Sequence, residues 1–173
     1  YNDCRLEPVR IQYKDFSEWQ NSEKEKEKIH RQETYWLKIF EGEIPVLNLF
    51  TDFPRPVIQS FEGSSLNFEL PTDIVKALQD IAVTWGATPY MILLAVYNVF
   101  LAKLTGQEDI VVGTPTAGRR HADLEKIIGM FVNTLALRNS PEGHKRFVDF
   151  LIEVKEQTLE AFENQEFQFE NLV

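Results

Sequence analysis

The sequence predicts a layered α/β domain, a sheet covered by packed helices, and three observations carry that prediction. Apolar residues recur at helical spacing in four long segments. Three shorter segments alternate with period two or run as brief apolar stretches. The two kinds interleave along the chain instead of forming separate blocks, the pattern of helices layered on a sheet. With 173 residues, 43% hydrophobic and 12% aromatic content, the chain is long enough to bury one sizeable core.

The first segment, Tyr1 to Phe16, holds Pro8 and no sustained period, so a connector is expected there. From Ser17 to Phe40, the residues Ile29, Trp36, Leu37 and Phe40 recur at helical spacing, with Gly42 as the expected stop. The run Glu23-Lys24-Glu25-Lys26-Glu27-Lys28 alternates in sign, as a solvated helix face steadied by weak pairs one turn apart does. Three prolines between Pro45 and Pro56 fix torsions and remove donors, which predicts an extended crossing. Leu66, Phe68 and Leu70 alternate with polar neighbours and predict a short strand.

Pro71-Thr72 then opens a helix whose Ile74, Leu78, Ile81, Ala82 and Trp85 form one stripe before Gly86 ends it. Thr88 supplies a side-chain cap, and Pro89 lacks the donor that would go unpaired in the first turn. The helix they start, Pro89 to Leu104, is apolar nearly all round and is expected to lie between other layers. Asp109 to Gly113 predicts a strand of a buried sheet, Thr114 to Arg120 a loop, and a short helix then leads to an alternating strand over Ile128 to Arg138. Phe147, Phe150, Leu151, Val154, Thr158 and Phe162 give a last amphipathic helix.

Lys and Arg total 18 against 27 Asp and Glu, a formal charge of -9. A surface of that sign repels phosphate backbones and anionic headgroups, so neither nucleic acid nor membrane is an expected partner. The longest apolar stretch, Tyr90 to Leu104, contains Asn98 and Lys103 and is shorter than the roughly 20 residues a spanning helix needs. The single Cys4 forms no internal disulfide and no basic-then-apolar leader opens the chain, so a cytoplasmic location is expected.

Acid–base or nucleophilic catalysis needs a base or a polarised nucleophile, which directs attention to the three histidines. His30 falls in a charged helix, His121 in a loop and His144 in a polar turn, and each is expected at the surface. No Gly-x-Ser-x-Gly elbow, metal-spaced Cys/His cluster or phosphate-binding glycine loop is present. The residues themselves therefore assign no catalytic group and no metal ligand. Asn133 is a candidate donor to a developing oxyanion, because an amide can fix a carbonyl without changing charge; the alternative is a buried amide satisfied within the fold. Gly118 permits a turn, Gly129 admits close backbone approach, and Phe131 and Met130 are of the type that packs.

Three ordered blocks, Tyr13-Lys14-Asp15-Phe16-Ser17-Glu18-Trp19, Ile128 to Arg138 with Phe131-Val132-Asn133-Thr134, and Asn164-Gln165-Glu166-Phe167-Gln168-Phe169-Glu170, resemble the signature blocks of condensation domains of non-ribosomal peptide synthetases. Tyr35-Trp36-Leu37, Thr51 to Pro56 and Gly106 to Pro115 extend the resemblance along the whole chain. The closing block departs from the usual pattern, with Glu166 in place of aspartate and Gln168 in place of proline.

The resemblance implies one chloramphenicol acetyltransferase-like lobe of a two-lobed domain. Residues 1–20 would be the inter-lobe connector and 21–173 the carboxy-terminal lobe, incomplete at both ends. The His-His-x-x-x-Asp-Gly motif would lie in the missing amino-terminal lobe, so this chain alone is expected to be inactive. The resemblance further implies peptide bond formation between thioesters borne on upstream and downstream peptidyl carrier domains, with an adenylation domain as neighbour. Phosphopantetheine would be carried by those partners, with no cofactor bound here directly. Asn133, Thr114 and Met130 would face substrate, and Arg119 would support the junction of the lobes by pairing with the motif aspartate. A non-catalytic module that docks carrier proteins is the competing expectation.

Overall fold

A computed structural model of the chain describes residues 8–173; Cys4 and the start of the expected connector lie outside them. The order is α1 (Tyr13–Gln20), α2 (Glu23–Ile39), α3 (Thr72–Trp85), α4 (Pro89–Thr105), β1 (Ile110–Thr116), β2 (Asn133–Asn139) and α5 (Phe147–Glu163), with short 3-10 turns at Ala122–Leu124 and Phe169–Asn171. The strands β1 and β2 pair as a two-stranded sheet. Helices with a small sheet match the layered α/β class expected.

The chain divides into two compact units. The first comprises the residues up to Ile44 with Val112–Leu137 and Glu160–Val173. The long helix predicted over Ser17 to Phe40 is broken here into two. One cause lies in α1, which starts earlier than expected: Gln12 and Asp15 form a capping box, with the Gln12 amide donating to the Asp15 carboxylate at 2.8 Å. At its other end the Asn21 side chain donates to the Ser17 carbonyl at 2.8 Å, and extended Ser22 begins α2. The inward stripe of α2 is Glu25, Ile29, Gln32 and Trp36, whereas Leu37, expected on it, is exposed. Leu124, Ile127 and Phe131 form a buried cluster against which Ile11 and Phe16 pack.

The second unit comprises Pro45–Val111 and Arg138–Leu159. Its first stretch, 45–71, forms neither helix nor strand, which agrees over Pro45 to Pro56 with the proline reading, and it joins the end of α4 through Gln107, whose side chain donates to the Val46 carbonyl at 2.9 Å and accepts from the Asn48 amide at 2.8 Å. The strand predicted at Leu66, Phe68 and Leu70 does not form. Alternation extends the backbone, but a strand also needs a neighbour for its N–H and C=O groups, and none is present among the described residues.

Gly86, at φ 57°, closes α3 in the left-handed region that glycine enters without a Cβ penalty. Thr88 Oγ1 then accepts from the Met91 amide at 3.3 Å, and the chain turns by 105° between α3 and α4. The expectation that α4 lies between layers is not met within the described residues. Met91, Ile92, Leu94, Ala95, Asn98 and Leu101 are buried, while Leu93, Val96, Tyr97, Phe100 and Leu104 are exposed. One helix face is covered and the other has no layer against it. Within this unit Asp109 and Arg138 form a two-pronged ion pair, Nη2 to Oδ2 at 2.7 Å and Nε to Oδ1 at 3.0 Å.

β1 runs to Thr116, so Thr114 lies in a strand and not in the predicted loop. β2 starts only at Asn133, five residues later than the alternating pattern suggested. Ile128, Met130 and Val132 are exposed for that reason, whereas Phe131 packs as expected.

No single helix among the described residues is long and apolar enough to cross a membrane, although α3 and α4 pass such a test as a bent pair. No group of three or more His, Cys, Asp or Glu among those residues is placed to hold a metal.

Candidate functional site

The first unit carries a groove of about 1470 Å³, lined among others by Tyr13, Trp19, Ile29, Phe131, Asn133 and Glu166. All three sequence blocks contribute to it. Phe131 is the hinge between two of them: the Tyr13 ring meets it edge-on at 5.2 Å between centroids, and Phe16 meets it at 4.8 Å. The Tyr13 hydroxyl donates to the Met130 carbonyl at 2.9 Å. Gly129 is required beneath this contact, since a Cβ there would run into the Tyr13 ring. Met130 itself is 76% exposed at the groove, so it does not pack as its residue type suggested. Its backbone is held by Tyr13 ahead of the strand, leaving the side chain free.

Arg119 and Gly118 close the loop that precedes this wall. The Arg119 guanidinium donates to the Leu124 carbonyl and lies 4.1 Å over the Phe131 ring. Gly118 has φ 65°, and a Cβ there would collide with the Phe131 carbonyl. Arg119 does not line the groove, and neither does Thr114, which is buried in β1.

Asn133 reaches the groove wall but is only 6% exposed. Its Nδ2 donates to the Gln165 carbonyl at 2.8 Å and the Phe167 carbonyl at 2.7 Å, and its Oδ1 accepts from the amides of Thr134 at 2.8 Å and Phe169 at 3.2 Å. Two N–H groups and two lone pairs are the full capacity of an amide. In this arrangement Asn133 fastens the closing block to β2.

The closing block is held from α2 as well. Gln32, 4% exposed, accepts from the amides of Glu166 at 3.0 Å and Phe167 at 2.9 Å, and donates to the Glu166 carboxylate at 3.2 Å. Trp36 Nε1 donates to the Asn164 carbonyl at 2.9 Å, and Thr116 Oγ1 to Gln165 Oε1 at 2.8 Å. Glu166 also pairs with Lys28, and with Arg120 at 3.5 Å, while Lys28 lies 3.7 Å from Glu25. Each of these four charges therefore has an opposite charge beside it. Sequence reasoning missed Gln32 and Thr116. The signal for Gln32 was its place on the α2 stripe, one turn before Trp36 and three residues after Ile29, where a polar residue facing inward must find partners.

The three histidines are exposed, as expected, and each faces a carboxylate: His30 with Glu33 at 2.8 Å, His121 with Asp123 at 3.7 Å and His144 with Glu142 at 3.5 Å. Burial, and to a lesser degree the nearby Glu160 carboxylate, pushes the Tyr35 phenol up to about 12.

Comparison with known proteins identifies this helix-and-sheet fold as that of condensation domains. Among solved structures, the X-domain from teicoplanin biosynthesis superposes with a TM-score of 0.86 at 23% identity, covering 97% of this chain and 38% of that one, a likeness of fold. A four-domain nonribosomal peptide synthetase bound to AMP and glycine gives 0.78 at 28% identity, covering 82% of this chain and 11% of the synthetase. Gramicidin S synthase 2 from Aneurinibacillus migulanus is 54% identical across 100% of this chain, which spans only 4% of that relative's length. The condensation domain family matches residues 2–173, and the chain belongs to it.

Proposed function

We propose that the chain is the carboxy-terminal lobe, residues 21–173 with the connector 1–20, of a condensation domain that forms peptide bonds on a peptide synthetase. The observation that carries this reading is the convergence of three blocks on one groove, with Tyr13 bonded to Met130 and Asn133 to Phe167. Blocks so far apart in sequence meet there through contacts between their own residues.

In this reading the groove forms one wall of the substrate passage. Met130 presents its side chain there and Asn133 shapes the wall by fastening the closing block, whereas Thr114 is buried in β1 and off the groove. Arg119 braces the loop that would meet the amino-terminal lobe. That lobe would supply the His-His-x-x-x-Asp-Gly motif, which this sequence does not contain. Upstream and downstream carrier domains would bring the aminoacyl and peptidyl thioesters on phosphopantetheine, next to an adenylation domain and in the cytoplasm. The chemistry is assigned to the motif of the amino-terminal lobe: His30 and His121 line the groove here, but both are largely exposed and lie beside the carboxylates of Glu33 and Asp123.

The test supplies donor and acceptor aminoacyl carrier proteins and reads dipeptidyl thioester by mass spectrometry. The full-length parent is expected to form it, and the 173-residue chain alone is not. Product from the chain alone would overturn the assignment of chemistry to the other lobe. A parent that binds carriers without forming product would establish the non-catalytic docking module instead.

A further inference from the structure

We infer that Gln32 is a positioning residue for the groove, acting with Asn133 to hold the backbone of 165–169 so that Gln165 and Glu166 are presented to the cavity. Gln32 does not line the groove, but Gln165, Glu166 and Phe167 do. The two amides divide the work by chemistry. Asn133 takes the carbonyls of Gln165 and Phe167 and the amide of Phe169, and Gln32 takes the amides of Glu166 and Phe167. Residues 165–168 carry no helix or strand ladder, so these side chains stand in for the missing backbone partners. The link from Gln32 Nε2 to the Glu166 carboxylate is what turns a backbone clamp into a device that sets a side chain. Lys28 and Arg120 approach Glu166 from α2 and the loop after β1, and Glu25 approaches Lys28, so the carboxylate is held among named charges.

The bond directions provide a discriminating rescue. Gln32→Leu removes both acceptor and donor. Gln32→Glu keeps the acceptor for the two backbone amides but faces the Glu166 carboxylate with another carboxylate. Adding Glu166→Gln restores a donor, now running from position 166 to position 32, with the net charge of the natural pair.

Two readouts are taken on the full-length protein: hydrogen exchange of the peptide carrying Glu166 and Phe167, and kcat with KM for dipeptidyl thioester formation. The second readout rests on the proposed function, and the first does not. Gln32→Leu is expected to speed exchange about 10- to 100-fold, as unpaired buried groups do, and to lower kcat by about the same factor through misplacement of the groove wall. Gln32→Glu is expected to be impaired in both readouts, and the double variant to recover at least about tenfold of each loss.

Unchanged exchange in Gln32→Leu overturns the inference, as does a double variant no better than Gln32→Glu. Faster exchange with unaltered kcat reduces Gln32 to a structural residue and equally overturns it. If Gln32→Leu fails to fold, the comparison of Gln32→Glu with the double variant decides. Absence of product from the unsubstituted protein refutes the proposed function, and the exchange comparison still decides the clamp.

Discussion

Asn133→Ala separates two roles that an amide at this position can play. Truncation strands the carbonyls of Gln165 and Phe167 and the amides of Thr134 and Phe169, four groups now bonded at 2.7 to 3.2 Å. Counting about 1 kcal/mol for each well-made bond, and discounting the longest, gives a loss of about 3 kcal/mol. For a unit of this size, at about 2–4 °C per kcal/mol, the melting temperature falls by about 6–12 °C. Asn133→Asp keeps the acceptor for both amides but turns an anion toward two carbonyls, so it is expected to be no better than alanine. The assay is thermal unfolding of the intact condensation domain by circular dichroism, alongside single-turnover peptide bond formation. A melting temperature within about 2 °C of the natural protein, together with a rate fallen about 100-fold, would refute the clamp. That outcome would assign the amide to a developing oxyanion.

Gly118→Ala combines a left-handed backbone with a Cβ driven into the Phe131 carbonyl, and is expected to lower stability by at least about 2 kcal/mol in denaturant titration; a loss under about 0.5 kcal/mol would show that the loop relaxes freely. Arg119→Ala removes a ring contact and a carbonyl partner, an expected loss of about 1–2 kcal/mol, and Arg119→Lys should recover part of it because a lysine keeps the charge without the planar fork. Tyr35 is an acid whose folded value is raised, so the fold favours its neutral form; that stability is present below pH 10 and is lost as pH rises through about 12. Tyr35→Phe is expected to flatten the alkaline limb of a stability-against-pH curve, and an unchanged limb would contradict the burial of the phenol. The 173-residue chain alone, with Leu93, Tyr97 and Phe100 of α4 uncovered, is expected to bind an apolar dye and self-associate in sedimentation; a strict monomer without dye binding would contradict an accessible apolar face.

The sequence by itself determined the α/β class, the extents of α3, α4 and α5 to within a few residues, the end of α3 at Gly86 and the start of α4 at Thr88. Thr88-Pro89 and Gly86 are local signals: a side-chain acceptor, a missing donor and a missing Cβ act on neighbouring residues and need no distant partner. The order of its signature blocks also determined the family. Tertiary structure alone decided what those periodic faces meet. Among the described residues, Leu66, Phe68 and Leu70 alternate like a strand yet stay unpaired, and α4 is apolar nearly all round yet covered on one side. Asn133 and Gln32 were the least legible. Each is an amide whose role depends on backbone groups of the closing block, with Gln32 standing 135 positions from Phe167, and no local period encodes that meeting. Periodicity is a property of the chain's own geometry, whereas saturation of a buried polar group depends on which distant atoms folding brings within reach.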